Sequence, residues 1–211
     1  MRILRGLASF PPDLRPSVAA LGVFDGIHLA HAKILTTAVE RAHALAISAV
    51  VCTFDPHPAT VLIPERAPAP IATLPENLER LAALGPDAAL IIPFTSEFSR
   101  MEAEIFVAEV LQKTIGAREV VVGFNHTFGR GARGTATLLQ ELGDRHGFVT
   151  HVLPPLQVNG QTVPAPGVPD GRARVYGPDG ALLGVGLAGR ASVKPERLLH
   201  ADPPRSRVLP A

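Results

Sequence analysis

The chain has 211 residues, 46% hydrophobic and 18% charged, which excludes a disordered chain and leaves room for one large domain with a small appendage. Twenty basic and nineteen acidic residues balance to +1, so the whole-chain charge carries no footprint of bulk nucleic-acid or membrane-surface binding. The single cysteine, Cys52, excludes an internal disulfide and a cysteine-based zinc site, and its apolar run Ala44–Phe54 is too short to span a bilayer.

In chain order, Arg2 and Arg5 are followed by Pro11, Pro12 and Asp13, which interrupt any signal-peptide core; a soluble, cytoplasmic protein is expected. Ser17–Phe24 predicts a buried strand running into a turn. Leu29–Leu45 has helical spacing, with Ile34, Leu35, Ala38, Ala42 and Leu45 on one face. Ile47–Phe54 predicts the second strand, stopped by a rigid, non-helical loop at Asp55-Pro56-His57-Pro58. Pro64–Pro75 reads as a loop or lid. Leu74–Leu84 predicts a helix with Pro75 in its first turn and Gly85-Pro86 as its stop.

Ala88–Pro93 is the third predicted strand. Glu102–Ile115 is a helix with Ile105, Phe106, Val110 and Leu111 inward, closed by Gly116. Glu119–Gly123 is the fourth strand, Thr135–His146 a helix and Phe148–Leu153 the fifth strand. Strands alternating with amphipathic helices predict an α/β domain with a parallel sheet and helices on both faces. After Pro154 glycine and proline become dense, and Arg172–Tyr176 and Leu182–Leu187 flank Gly177-Pro178-Asp179-Gly180, a hairpin signal. The expected organisation is an α/β domain over 1–154, a small β-rich appendage over 155–200 and a flexible tail over 201–211.

Four loops that follow predicted strands can carry chemistry, because ligands bind at the carboxyl edge of an open α/β sheet. In Gly22-Val-Phe24-Asp25-Gly26-Ile-His28-Leu-Ala-His31, two histidines sit at a helix start among unpaired backbone N–H groups that attract anions. Gly22 and Gly26 allow close backbone approach there. A solvated helix start and a metal pair are the other readings of the same residues. Phe54-Asp55-Pro56-His57-Pro58 can line a planar ligand or form an ordinary turn. Gly123-Phe-Asn125-His126-Thr-Phe128-Gly129-Arg130-Gly-Ala-Arg133-Gly134 suits nucleotide recognition, against a flexible surface loop with solvated arginines. In the appendage, Pro169-Asp-Gly171-Arg172-Ala-Arg174 reads on its own as a turn. No P-loop motif occurs, Gly184-Val-Gly186 supports no dinucleotide fingerprint, and Cys52 is expected to be packed rather than nucleophilic.

These loops resemble, in order, the signatures of bacterial FAD synthetases, whose FMN adenylyltransferase domain belongs to the HIGH-type nucleotidyltransferases. Leu21-Gly-Val-Phe-Asp-Gly-Ile-His-Leu-Ala-His31 is similar to the first signature and Thr53–Pro58 to the second. Phe98–Phe106 and Val121–Gly129 are similar to the third and fourth. The resemblance covers roughly 18–153 and implies a Rossmann-like sheet and AMP transfer from ATP to FMN, giving FAD and pyrophosphate with magnesium assisting. It further implies His28 and His31 as the catalytic pair on the triphosphate. Gly22, Phe24, Asp25, Gly26, Asn125 and Arg172 then fall on the ATP side, and Phe54, Asp55, Pro56, His57, Pro58, Phe128 and Gly129 on the flavin side. No resident metal ligand is expected.

Two departures stand out. Ala30 replaces the glycine between the histidines, and Val168-Pro-Asp170-Gly-Arg172-Ala-Arg174 stands where the family has a Ser/Thr-rich ATP clamp. The loss of that clamp makes a flavin- or nucleotide-binding protein without catalysis the alternative. The riboflavin kinase module that usually follows in the family is expected to be absent. A fainter resemblance joins Gly171–Gly186 and Lys194–Arg197 to the C-terminal segment of bacterial tRNA pseudouridine synthases, which helps those enzymes bind RNA. ATP and FMN are the expected partners, with neither nucleic acid nor membrane.

Overall fold

Strands covered on both faces are written as near-continuous apolar runs, and the central strands of this chain have that character. The computed structural model describes residues 1–154 throughout and, beyond them, the backbone of five short strands. The first strands are β1 (Arg2–Arg5), β2 (Ser17–Leu21), β3 (Ser48–Asp55), β4 (Ala88–Pro93) and β5 (Ala117–Gly123). Next, β6 (Thr127–Phe128) and β7 (Gly134–Thr135) pair as a separate hairpin, and β8 (Val149–Leu153) returns to the sheet. The result is a six-stranded parallel sheet in the order β1-β4-β3-β2-β5-β8.

The helices are α1 (Leu29–Leu45), α2 (Pro58–Leu62), α3 (Leu74–Ala83), α4 (Ala103–Ile105, running on as a π-helix over Phe106–Ile115) and α5 (Ala136–His146). Both faces of the sheet are covered, as expected. Ala19, Val50, Cys52, Leu90 and Val120 pack with Phe106, Leu111 and Leu139, placing α4 and α5 on one face. The alternate residues Val18, Ala20, Ala49, Val51, Ala89 and Val121 are equally buried, and their face is where α1 buries Ile34, Leu35, Ala38 and Ala42. On that side Arg41 of α1 grips the buried Glu119 of β5 through two bonds, at 2.7 and 2.5 Å, and His151 Nε2 lies 2.7 Å from the same carboxylate. The Arg41 hydrogen bonds, ahead of those of His151, hold the Glu119 carboxyl below the usual carboxylate range despite its burial.

The five predicted strands are present with small shifts at their ends. The sixth, β1, escaped prediction because Arg-Ile-Leu-Arg is a short edge strand with one buried residue, Leu4. Two inward assignments are corrected: Leu45 and Ile105 are 43% and 51% exposed. Leu45 is the last residue of α1, and Ala46 leaves the helix with φ at 53°. Along the widened π turn after Ile105, Phe106, Val110 and Leu111 are inward as predicted and Ile115 joins them, and Thr114 Oγ1 bonds the Glu109 carbonyl five residues back. Gly116 closes the helix in the left-handed region, as its composition suggested.

Cys52 is 1% exposed on β3, registered between Leu21 of β2 and Leu90 of β4, and burial pushes its thiol pKa up to about 12.

The chain divides into two compact units, Met1–Asp25 with His31–Pro154, and Gly26–Ala30 with Pro155–Ala211. In the second, β9 (Val163–Pro164), β10 (Gly171–Tyr176), β11 (Leu182–Gly189), β12 (Ser192–Leu198) and β13 (Arg207–Pro210) form an antiparallel sheet ordered β13-β10-β11-β12-β9. The segment read as a flexible tail thus contains a strand, registered along β10 from Tyr176↔Arg207 to Ala173↔Pro210. The Gly177–Gly180 turn lies outside the described residues.

Candidate functional site

Parallel strands deliver their following loops to one edge of the sheet. In this topology the chain reverses direction across β2, which has β3 on one side and β5 on the other. The crevice above such a reversal is where open α/β sheets take ligands. The first and fourth signatures follow β2 and β5, and the second follows the adjacent β3.

After β2, the Phe24 ring folds back onto Gly22: a Cβ at Gly22 would stand 3.0 Å from its ring carbons. The glycine's bare backbone therefore accommodates an aromatic ring of the protein itself. Phe24 is 3% exposed and meets the His31 ring edge-on, with centroids 5.2 Å apart. Asp25 turns its carboxylate toward the chain after α2, accepting the N–H groups of Ile71 at 2.8 Å and Ala72 at 3.0 Å and the Asn77 side-chain amide at 3.4 Å. Gly26 and Ile27 follow with φ of 74° and 42°. His28 then immediately precedes α1, and His31 lies in that helix's first turn.

After β3, the Asp55–Pro56 peptide is cis, and His57 Nδ1 accepts the Ala59 N–H at 3.1 Å. That bond caps α2, which Pro58 opens, so the expected non-helical loop already gives way to a helix at Pro58. A cavity of about 250 Å³ brings Phe24 and Asp25 together with Phe54, Asp55, Pro56 and His57. Pro68, Pro70 and Ala72, from the stretch read as a loop or lid, line it as well, with Asn77 and Leu81 of α3. Pro58, Phe128 and Gly129 are not among its lining residues.

After β5, the glycine-rich stretch is a built hairpin. A Cβ on Gly134 would clash at 2.7 Å with the Phe128 ring and carbonyl. Gly129, with φ at 70°, presses on Ala103, where a Cβ would stand 2.8 Å from backbone atoms. The Arg130 N–H donates to the Met101 carbonyl at 2.7 Å, and its guanidinium reaches Glu102 at 3.4 Å. Arg133 carries no such ion pair among the described residues. Asn125 is exposed at the mouth of this loop, its Oδ1 near Gly123.

Rings in successive contact run from the cavity to this loop: Phe54, Phe98, Phe106, Phe128 and His126, with centroids 6.0, 6.3, 5.6 and 5.8 Å apart. His126 stacks on Phe128 with its Nε2 occluded and without a hydrogen-bond partner among the described residues, and burial pushes its pKa down to about 4. The imidazole is therefore neutral at pH 7.

Sequence reasoning singled out neither His126 nor Asn77. The available signal for Asn77 was an amide on the same face of α3 as Leu78 and Leu81, where only a satisfied polar group is tolerated. Arg172 lies on β10, and its side chain, like the Val168–Arg174 departure from the clamp, falls outside the described residues. Among the described residues no group of three His, Cys, Asp or Glu could hold a metal ion, and no helix is long and apolar enough to cross a membrane.

Comparison with known proteins points the same way. The family model described as FAD synthetase matches residues 10–166, and one described as the C-terminal region of pseudouridine synthase II TruB matches residues 157–199. A bifunctional riboflavin kinase/FMN adenylyltransferase from Pseudomonas fluorescens is 32% identical over 77% of this chain and 52% of its own length. Its counterpart from Escherichia coli K12 is 30% identical over 70% and 48% respectively. The chain thus spans about half the length of these curated relatives. A crystal structure of a macrolide-efflux protein from Streptococcus pneumoniae aligns with a TM-score of 0.62 at 21% identity, covering 92% of this chain and 83% of that one, a likeness of fold alone.

Proposed function

Because the chain belongs to the FAD synthetase family, we propose that it transfers AMP from ATP to FMN. An FMN phosphate oxygen attacks the α-phosphorus of ATP, forming the phosphoanhydride of FAD while pyrophosphate leaves. The observation that carries this reading is the meeting of Phe24 and Asp25 with Phe54–His57 in one cavity, which unites the first and second signatures. Its aromatic and proline walls suit a planar ring system, with the phosphate directed to the switch-point crevice.

The reaction needs in-line positioning and charge neutralisation more than proton transfer. His28 and His31 at the start of α1 would hold the triphosphate, helped by first-turn N–H groups. Magnesium would arrive with ATP as part of the substrate. Asn125 and Arg133 suit the nucleotide side. Phe54, Pro56 and His57 suit the flavin, whereas Pro58, Phe128 and Gly129 would act by shaping the loops around it.

Incubating the protein with ATP, magnesium and FMN should yield FAD and pyrophosphate on chromatography, and riboflavin with ATP should yield no FMN. Replacing both His28 and His31 by Ala should lower turnover at least 100-fold, since each charge-assisted bond contributes about 1.5–3 kcal/mol. Unchanged turnover in that folded double variant would refute the site assignment. FMN and ATP raising Tm with no FAD formed would instead favour the binding protein without catalysis.

The match over residues 157–199 supports an accessory reading as well. In the backbone register, Arg172 and Arg174 of β10 pair with Leu187 and Val185 of β11, which pair in turn with Lys194 and Arg197 of β12. Four basic residues at aligned register positions suit a polyanion such as RNA. Arg172→Ala separates this from ATP clamping: a raised KM for ATP supports the clamp, and a weakened, less salt-dependent retention of tRNA on filters supports RNA binding.

A further inference from the structure

The chain between α2 and α3 is poor in backbone donors. Pro64, Pro68 and Pro70 have no N–H, and a 3-10 turn over Pro64–Arg66 satisfies the donors of Arg66 and Ala67 locally. From there to Thr73, the N–H groups of Ile71 and Ala72 are held by one acceptor, the carboxylate of Asp25. Asn77 braces the same joint, donating to Asp25 and to the Ala72 carbonyl at 3.3 Å. The next residue is fixed independently, since Thr73 caps α3 in a reciprocal box with Glu76. Pro68, Pro70 and Ala72 line the cavity from this strap, and Phe54 and His57 line the same cavity from the loop after β3.

We propose that Asp25 is a positioning residue for the flavin ring: it moors the strap that lines the cavity and thereby sets the width of the slot. The inference rests on the FMN adenylyltransferase reading and moves Asp25 from the ATP side, where the resemblance put it, to the flavin side. The carboxylate suits this task because two adjacent backbone donors of the strap and one side-chain amide of α3 converge on it, at a joint where Ala72 is buried. Proline stiffness does the rest, since a moored Pro-rich segment moves as one piece. The slot thereby discriminates by thickness, favouring a flat fused-ring ligand over a bulkier phosphorylated one.

The test uses the full chain with Asp25→Ala and Asp25→Asn. FMN binding is read by quenching of flavin fluorescence without ATP, and MgATP binding by calorimetry without FMN. Asp25→Ala should raise the Kd for FMN at least tenfold, leave that for MgATP within twofold, and speed amide exchange at Ile71 and Ala72. Asp25→Asn, which keeps one acceptor oxygen, should fall between. In turnover KM for FMN should rise while kcat stays within threefold.

If Asp25→Ala does not fold, the double variant Pro68→Gly/Pro70→Gly loosens the strap with the carboxylate intact and should weaken FMN to the same extent. FMN affinity within twofold of wild type in a folded variant, or a loss confined to MgATP, overturns the inference alone. A wild-type chain that neither binds FMN nor makes FAD overturns the functional reading and this inference together.

Discussion

The two loops that follow β3 and β5 are built by opposite means. The first is stiffened by prolines and tied by polar bonds: Pro56, Pro58, Pro68 and Pro70 restrict its backbone, His57 caps α2 and Asp25 moors the strap. The second is shaped by missing side chains: Gly129 and Gly134 let backbone and ring approach to distances at which a Cβ would clash. Polar ties can be cut one at a time with graded loss, whereas a close approach fails outright when a methyl group is added. The first loop should therefore be adjustable, and the second brittle.

The sharpest way to break this contrast is Gly129→Ala. The added Cβ meets the Ala103 backbone at 2.8 Å on a residue with φ at 70°, so strain and overpacking act together. A loss of about 2–4 kcal/mol is expected, lowering Tm by about 5–15 °C. Calorimetry that found Gly129→Ala no worse than a strap variant would remove the distinction.

The next effect is set by pH. His126 resists protonation in the folded state down to about pH 4, whereas an unfolded histidine takes a proton near pH 6.5. The unfolded state therefore binds more protons between those values, and stability falls as pH drops through that window, by up to about 3 kcal/mol. Below the lower value the loss is constant. His126→Phe should flatten this part of the Tm–pH curve while leaving the decline at lower pH, where Glu119 protonates and its bonds to Arg41 and His151 are lost.

The smallest effect belongs to the strap's end. Thr73→Ala removes one half of the capping box and should cost about 1 kcal/mol, with FMN affinity little changed because Asp25 still holds Ile71 and Ala72. A large affinity loss in that variant would mean that the cap, rather than the carboxylate, positions the strap.

Periodicity and punctuation exposed most of the fold. α1 runs over the predicted Leu29–Leu45, β4 over the predicted Ala88–Pro93, and Gly116 and Gly147 stop their helices in the left-handed region. What escaped depends on partners distant in sequence. β1 exists because β4 offers it an edge, and no residue announces the π turn after Ile105, which is exposed while the predicted Phe106, Val110 and Leu111 are buried. For the candidate site, the resemblance identified which loops matter but not what each residue touches. Gly22 accommodates Phe24, His57 caps a helix, and Asp25 reaches across 46 positions to Ile71. These are tertiary facts, and one-dimensional spacing does not contain them.

Cys52 gives the molecule a clock of its own. Its sulfur is sealed in the third strand, between neighbours on both sides, with its pKa pushed up to about 12, so oxidants and disulfide reagents have no thiolate to meet while the sheet is closed. With excess reagent, modification is gated by the rate at which the sheet opens, and a single colour change in native buffer times that opening without denaturant. A ligand that clamps the carboxyl edge would slow that clock, reporting its binding from the centre of the sheet.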